Sequence, residues 1–349
     1  MPAATRTADD GRLLREVKAG NLEGVEKLLS AGRANPNATD DRGRTPLILA
    51  TTFPRAKQRF AMVKSLLKAG ADAALADEEA QLLPLHLASG LSDTDVMEVL
   101  LAAAPGTLNT GEEAGLSALM YAVTRSRGED AVSFLVSRGA AMFSKTGVSA
   151  LETALLTHAE SGGNENTVRF LLDQGLQAIG GADIVARVLC VAVQNAQARF
   201  MPALLDIEGE ERRQKWANCT VLGVPLLHCA ALYEYVAAAH VLLSAGADET
   251  AKDIYGTRAS DVMGFETPAE DRNEATEAAI QRMLQRGPAF RARSYCWQAQ
   301  VVSDDVGVAH AVSGVVSPRP KAQDPLGLRV FRSTNARVLT TRFARYSMN

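Results

Sequence analysis

What this chain lacks narrows it first. Aromatic residues are only 5% of its 349 positions. That speaks against a β-sandwich or a large enzyme core and for closely packed short helices, since the apolar residues are mostly Ala, Leu and Val. Cysteine is sparse: Cys190, Cys219, Cys229 and Cys296 are the four, and no two form a Cys-x-x-Cys. The first residues, MPAATRTADDGR, contain no apolar run, so no secretory leader is expected. An intracellular, reducing compartment, cytoplasmic and/or nuclear, is therefore the expectation. The longest apolar stretch, Val224 to Ala247, is broken by His228, Glu234 and His240, so no membrane span is expected. No GxxxxGK[ST] loop is present, and nothing marks an oxyanion hole or a strained nucleophile turn.

Charge is unevenly spread. From Arg291 to the end, nine Lys/Arg stand against three Asp/Glu, a balance of +6, which leaves residues 1–290 at −9 of the net −3. Nucleic-acid affinity rests on Lys/Arg neutralising phosphates, so nucleic acid is not an expected partner of residues 1–290.

What the sequence does contain is a repeat. Gly43 to Ala50 read GRTPLILA, Gln81 to Ala88 QLLPLHLA, Gly115 to Ala122 GLSALMYA, Gly147 to Ala154 GVSALETA, and Gly223 to Ala230 GVPLLHCA. Gly256 to Met263, GTRASDVM, is a weaker copy. The octets are followed by second apolar segments such as VKSLLKAGAD, VMEVLLAAAP, VSFLVSRGA, VRFLLDQG and AHVLLSAGAD. The octets begin 38, 34, 32, 76 and 33 residues apart. The interval of 76 is twice 38, so a degenerate repeat is expected near Val185, with VARVLCVAVQ and FMPALLD as its helices. The leading segment LLREVKAGNLEGVEKLLSAG reads as a cap near residues 9–38.

This pattern resembles that of the ankyrin-repeat family: Gly-x-Thr-Pro-Leu-His-x-Ala, then a second helix closing on Leu-Leu-x-x-Gly-Ala-Asp, with a period of about 33 residues. The resemblance covers roughly residues 9–290, about eight repeats. It implies an all-α solenoid of stacked helix pairs with short β-hairpin or loop tips, followed by a low-order basic tail over residues 291–349. Pro46 and Pro84 suit the first turn of a helix, where a missing N–H costs nothing, and Thr45 suits its cap. Gly70, Gly139, Gly175 and Gly246 suit the ends of the second helices.

Several residues invite a chemical reading. His86 and His228 occupy the family's His position, where the ring holds the connecting loop. Leu83 and Pro225 replace the usual Thr beside them. Cys219, His228 and Cys229 are close in sequence, but adjacent residues on one helix diverge by about 100°, so no metal is expected. Cys190 and Cys229 read as small core residues. Ser149, Glu152 and His158 match a nucleophile–base set in residue type alone, so no catalysis and no cofactor is expected.

The resemblance implies a protein partner against the concave side, touching hairpin tips and first helices. The candidate tips are Asp41, Arg42 and Arg44 beside Asp40; Glu78 and Glu79 beside Asp77; Glu112 and Glu113; Lys145; and Tyr255 after Asp253 and Ile254. Six residues after the motif Leu stand Phe53, Leu91, Arg125, Thr157, Asn195 and Tyr233. Aromatics and Arg at exposed positions are the usual interface anchors. The expectation is an adaptor or scaffold whose acidic tips meet a basic partner segment. The other reading is a subunit of a larger assembly anchored through the tail. The tail itself suits an acidic partner.

Overall fold

The computed structural model describes residues 7–112, 115–125, 128–145, 147–161, 165–174, 182–206, 209–221, 223–262, 278–282 and 284. Glu113, Cys296 and the basic tail lie outside the described residues. The described part falls into two compact units, one ending at Gln174 and the other beginning at Ala182.

The first unit is a succession of antiparallel helix pairs: α1 Ala8–Ala19 with α2 Leu22–Ser30, α3 Pro46–Thr51 with α4 Ala56–Lys68, α5 Pro84–Gly90 with α6 Thr94–Ala103, α7 Ala118–Val123 with α8 Glu129–Ser137, and α9 Ala150–Ser161 with α10 Glu165–Asp173. First helices pack on first helices, α1 on α3 through to α7 on α9, and second helices on second, α2 on α4 through to α8 on α10. A six- or seven-residue helix such as α3 or α5 is too short to be stable alone. It persists because the stack buries it on all sides: every residue of α3, α5 and α7 is buried. Leu47, Leu85 and Leu119 fill the layer between pairs at near-zero exposure, each worth about 1.5–3 kcal/mol of burial. Ala50, Ala88 and Ala122 are fully buried beside them.

Caps set the helix starts. The Thr45 hydroxyl accepts from Ile48 N at 3.2 Å, and Pro46 sits in the first turn. Thr7 and Asp10 cap α1 reciprocally. Ser149 and Glu152 do the same for α9: Ser149 N donates to Glu152 Oε2 at 2.9 Å, and Glu152 N donates to Ser149 Oγ at 3.0 Å. Ser149 and Glu152 thus form a reciprocal helix cap. At the turn between α1 and α2, Gly20 has φ +71°, and a Cβ there would collide with the Phe53 ring.

The second unit begins with α11, Ala182–Gln194, in the interval where the sequence pattern is degenerate. A single 3₁₀ turn leads into the short helix α12, Met201–Leu205. An additional helix, α13 Glu210–Ala217, follows. A two-residue hairpin, β1 Thr220–Val221 with β2 Val224–Pro225, pairs antiparallel in the register Thr220↔Pro225 and Val221↔Val224. It leads into α14 Leu226–Leu232 and α15 Val236–Ser244. Helix α11 packs on α14, and the 3₁₀ turn Ala259–Asp261 closes over α14. Isolated bridges Phe143↔Ser149 and Lys252↔Arg258 mark two further hairpins.

Candidate partner-binding surface

The hairpins ahead of the first helices share a skeleton. The N–H of the first residue donates to the carbonyl four positions on: Asp40 to Arg44 (3.0 Å), Glu112 to Leu116 (3.1 Å), Ser144 to Val148 (2.9 Å) and Asp253 to Thr257 (3.0 Å). The fourth residue of each, Gly43, Gly115, Gly147 or Gly256, takes positive φ and donates back to the first. The hairpin from Asp77 is one residue longer, its N–H reaching Leu82 O at 3.1 Å. There Gln81 holds the left-handed conformation, φ +56°, that glycine holds elsewhere.

The first side chain turns inward and fixes the loop. Asp40 Oδ1 accepts from Arg42 N and Arg44 N, both at 3.0 Å, while Oδ2 receives the Arg44 guanidinium at 2.9 Å and Lys18 Nζ at 3.1 Å. Burial alone would raise the Asp40 pKa. The Arg44 and Lys18 contacts and the backbone donors outweigh it and hold the carboxyl at about 2. Asp77 Oδ1 accepts from Leu82 N at 2.6 Å and Ala80 N at 3.3 Å. Its Oδ2, fully buried, has no partner among the described residues, and burial pushes this carboxyl's pKa up. Ser144 Oγ accepts from Val148 N at 3.0 Å. Asp253 accepts from Tyr255 N, Thr257 N and the Thr257 hydroxyl.

What each hairpin then displays is its apex. Asp41, Arg42, Glu78, Glu79 and Lys145 are exposed. Ile254 and Tyr255 are 62% and 65% exposed. Apex residues also stack hairpin on hairpin. The Glu78 stem lies where a Cβ on Gly43 would be, and Ile254 covers Gly223 in the same way. Lys145 N donates to Gly115 O at 3.3 Å. Two of the residues expected on this surface are placed otherwise. Arg44 and Glu112 are buried, Arg44 paired with Asp40.

The second expected group stands elsewhere. Leu91 and Tyr233 are the C-caps of α5 and α14, and Phe53 and Arg125 follow the C-caps of α3 and α7. These are the turns between the helices of a pair, at the far end of the first helix from the hairpin. Six or seven residues at 1.5 Å each put that end about 9–10 Å from the helix start. All four are half-buried. Phe53 covers Gly20, Tyr233 stacks on Tyr235 at 5.8 Å, and burial pulls the Arg125 pKa down. Within the first unit the candidate residues therefore form two rows rather than one cluster. Thr157 and Asn195 bond back to the backbone one turn earlier, at Thr153 O and Val191 O.

The two motif histidines differ. His86 Nδ1 accepts from Leu83 N at 3.1 Å, so Nε2 carries the proton and donates to Thr110 O at 2.8 Å. Burial outweighs the Thr110 bond and lowers its pKa to about 4, so the ring is neutral at pH 7. His228 Nε2 reaches Thr257 O at 2.9 Å, but its Nδ1 has no partner among the described residues. The residue three positions before it is Pro225, which has no N–H to give. Among the described residues, no group of three His, Cys, Asp or Glu is placed to hold a metal ion, and no helix is long and apolar enough to cross a membrane.

A set of connecting residues escaped the sequence reading. Asn37 accepts from Asp72 N at 2.7 Å and donates to Gly70 O at 3.2 Å. Asn218 does the same with Asp248 N and Gly246 O, and Asn109 accepts from Ala141 N at 2.7 Å. Each asparagine ties the base of one hairpin to the start of the next. The signal was available: Asn37 and Asn109 each precede the hairpin's first residue by three.

Comparison with known families agrees with this geometry. A family model described as ankyrin repeats (3 copies) matches residues 13–105, 55–146 and 85–187.

Proposed function

Because this chain belongs to the ankyrin-repeat family, whose repeats serve generally as protein–protein interaction modules, we propose that it is an adaptor or scaffold inside the cell that holds a protein partner against the hairpin row of its first unit. One observation carries this reading. The hairpins are closed internally by Asp40, Asp77 and Ser144, so their apices present Asp41, Arg42, Glu78, Glu79 and Lys145 without having to order first. A surface already ordered loses less entropy on binding. The exposed charges supply specificity and encounter rate more than raw affinity. Glu78 and Glu79 suit a basic segment of the partner. The half-buried Phe53, Leu91 and Arg125 form a secondary row for a partner large enough to span the first helices. In the second unit, Tyr233 lies on the corresponding turn and Tyr255 at a hairpin apex.

Affinity purification from the native cell tests the reading, using the full chain and residues 1–290 side by side with quantitative mass spectrometry. A stoichiometric protein retained by both is the expected result. A partner lost with residues 291–349 would overturn it and favour a subunit anchored through the basic tail.

A further inference from the structure

We infer that Cys190 and Cys229 are a latent disulfide: on meeting hydrogen peroxide they join covalently and staple two consecutive repeats of the second unit.

The placement comes from the repeat itself. In consecutive octets, the sixth residue of one meets the seventh of the next. His86 stacks on Tyr121 with ring centroids 5.5 Å apart, and the Thr153 hydroxyl donates to Met120 Sδ at 3.6 Å. Cys229 is the seventh residue of GVPLLHCA, and Cys190 is the sixth of VARVLCVA beginning at Val185. Helices α11 and α14 pack directly on each other. The same register therefore brings thiol to thiol where other pairs of repeats bring rings or a thioether. The two thiols lie close enough for each to shift the other's ionisation. Both are buried and unbridged.

The pair is chemically asymmetric. Proximity to Cys229 favours the thiolate of Cys190 against its burial, whereas Cys229 is held as a thiol by the same proximity and by burial. Cys219 is half-buried, and burial followed by the Cys190 charge pushes its pKa up to about 12, so it does not compete as a nucleophile. Cys190 S⁻ attacks the peroxide oxygen. An S–O bond forms, the O–O bond breaks, and hydroxide leaves and is protonated to water. Cys229 sulfur then attacks the Cys190 sulfenic acid. The S–S bond forms, the S–O bond breaks, and the thiol proton leaves with the hydroxyl as a second water. Two thiols and one peroxide become one disulfide and two waters. Because both sulfurs are buried, the oxidant enters during local opening of the repeat. This repeat is also the one whose hairpin is held by His228 through a single bond. The staple stiffens the platform ahead of the exposed Ile254–Tyr255 apex.

The experiment uses the full-length, reduced protein treated with a small excess of hydrogen peroxide, then alkylated, digested without reductant and mapped by mass spectrometry. The expected product is one peptide pair joined through Cys190 and Cys229, with Cys219 still alkylated. A closed loop of this length should raise the thermal midpoint of the oxidised protein by roughly 5 °C or more, and the Cys219→Ala variant should behave the same way. Four alkylatable thiols after treatment, a bridge through Cys219 or Cys296, or an unchanged midpoint in protein with the mapped bridge would each overturn the proposal.

Discussion

At the scale of single residues, the same hairpin position carries carboxylates of opposite character. Asp40 is ringed by cations and donors, with its pKa at about 2. Its folded value lies below the unfolded one, so its contribution is complete above about pH 4 and is lost as pH falls toward 2. The difference corresponds to about 2 kcal/mol. Asp77 is the reverse. It is buried with one oxygen unpartnered, and its pKa is raised, so its ionisation at neutral pH opposes folding. Asp40→Asn should therefore lower stability at pH 7 by about 2 kcal/mol. Asp77→Asn keeps the acceptor for Leu82 and Ala80 and should leave stability unchanged or higher. Urea unfolding of the two variants checks this contrast, and equal losses would contradict it. His86 adds a second window. Its folded pKa, about 4, lies below the ordinary 6.5, so the stability of the neutral ring is present above pH 6.5. It drains away as pH falls to about 4, by about 3 kcal/mol. Unfolding measured from pH 7 to 4 should show this slope in the wild type and a flatter one in His86→Gln.

At the scale of elements, the octets made the first helices legible because their determinants are local: Pro46, Thr45, the Leu that faces the next repeat, and the small Ala. Hairpin exposure was not legible. Asp77 and Glu112 look like surface acids in a run of acids, yet both are buried, and the Asp77 carboxylate closes its hairpin. Helix α13 was equally hidden, since it adds a polar segment inside a 76-residue interval that two ordinary repeats would fill. Two element-scale substitutions test the hairpin and stacking arguments. Gln81 occupies a left-handed position that glycine fills in neighbouring hairpins, so Gln81→Gly should raise stability by about 1 kcal/mol in thermal or urea unfolding. Arg59, on α4, donates to Asp93 Oδ2 at 2.6 Å at the start of α6 and to Phe53 O at 2.8 Å, with both side chains of the ion pair nearly buried. Arg59→Ala should cost about 3 kcal/mol, because it leaves the nearly buried Asp93 carboxylate without its counter-charge between two consecutive repeats. A loss under 1 kcal/mol would remove this pair from the account of stacking.

At the scale of the whole molecule, membership of the repeat family points to a protein partner but not to which one, because one fold carries many unrelated interactions. Internal closure of the hairpins leaves a short list of exposed apex residues in the first unit, and the acidic pair Glu78 and Glu79 is its most concentrated charge. A Lys at position 78 keeps the aliphatic stem that covers Gly43, so reversing both charges should preserve the hairpin while altering the surface it presents. The direct measurement is quantitative affinity purification of the native partner with wild-type protein and with the Glu78→Lys/Glu79→Lys variant, at low and at raised salt, alongside thermal unfolding of both proteins. The account predicts an unchanged unfolding midpoint, a partner yield at low salt reduced at least about tenfold, and a weaker salt dependence of what remains. Equal partner recovery and equal salt dependence for the two proteins would contradict recognition through the hairpin row.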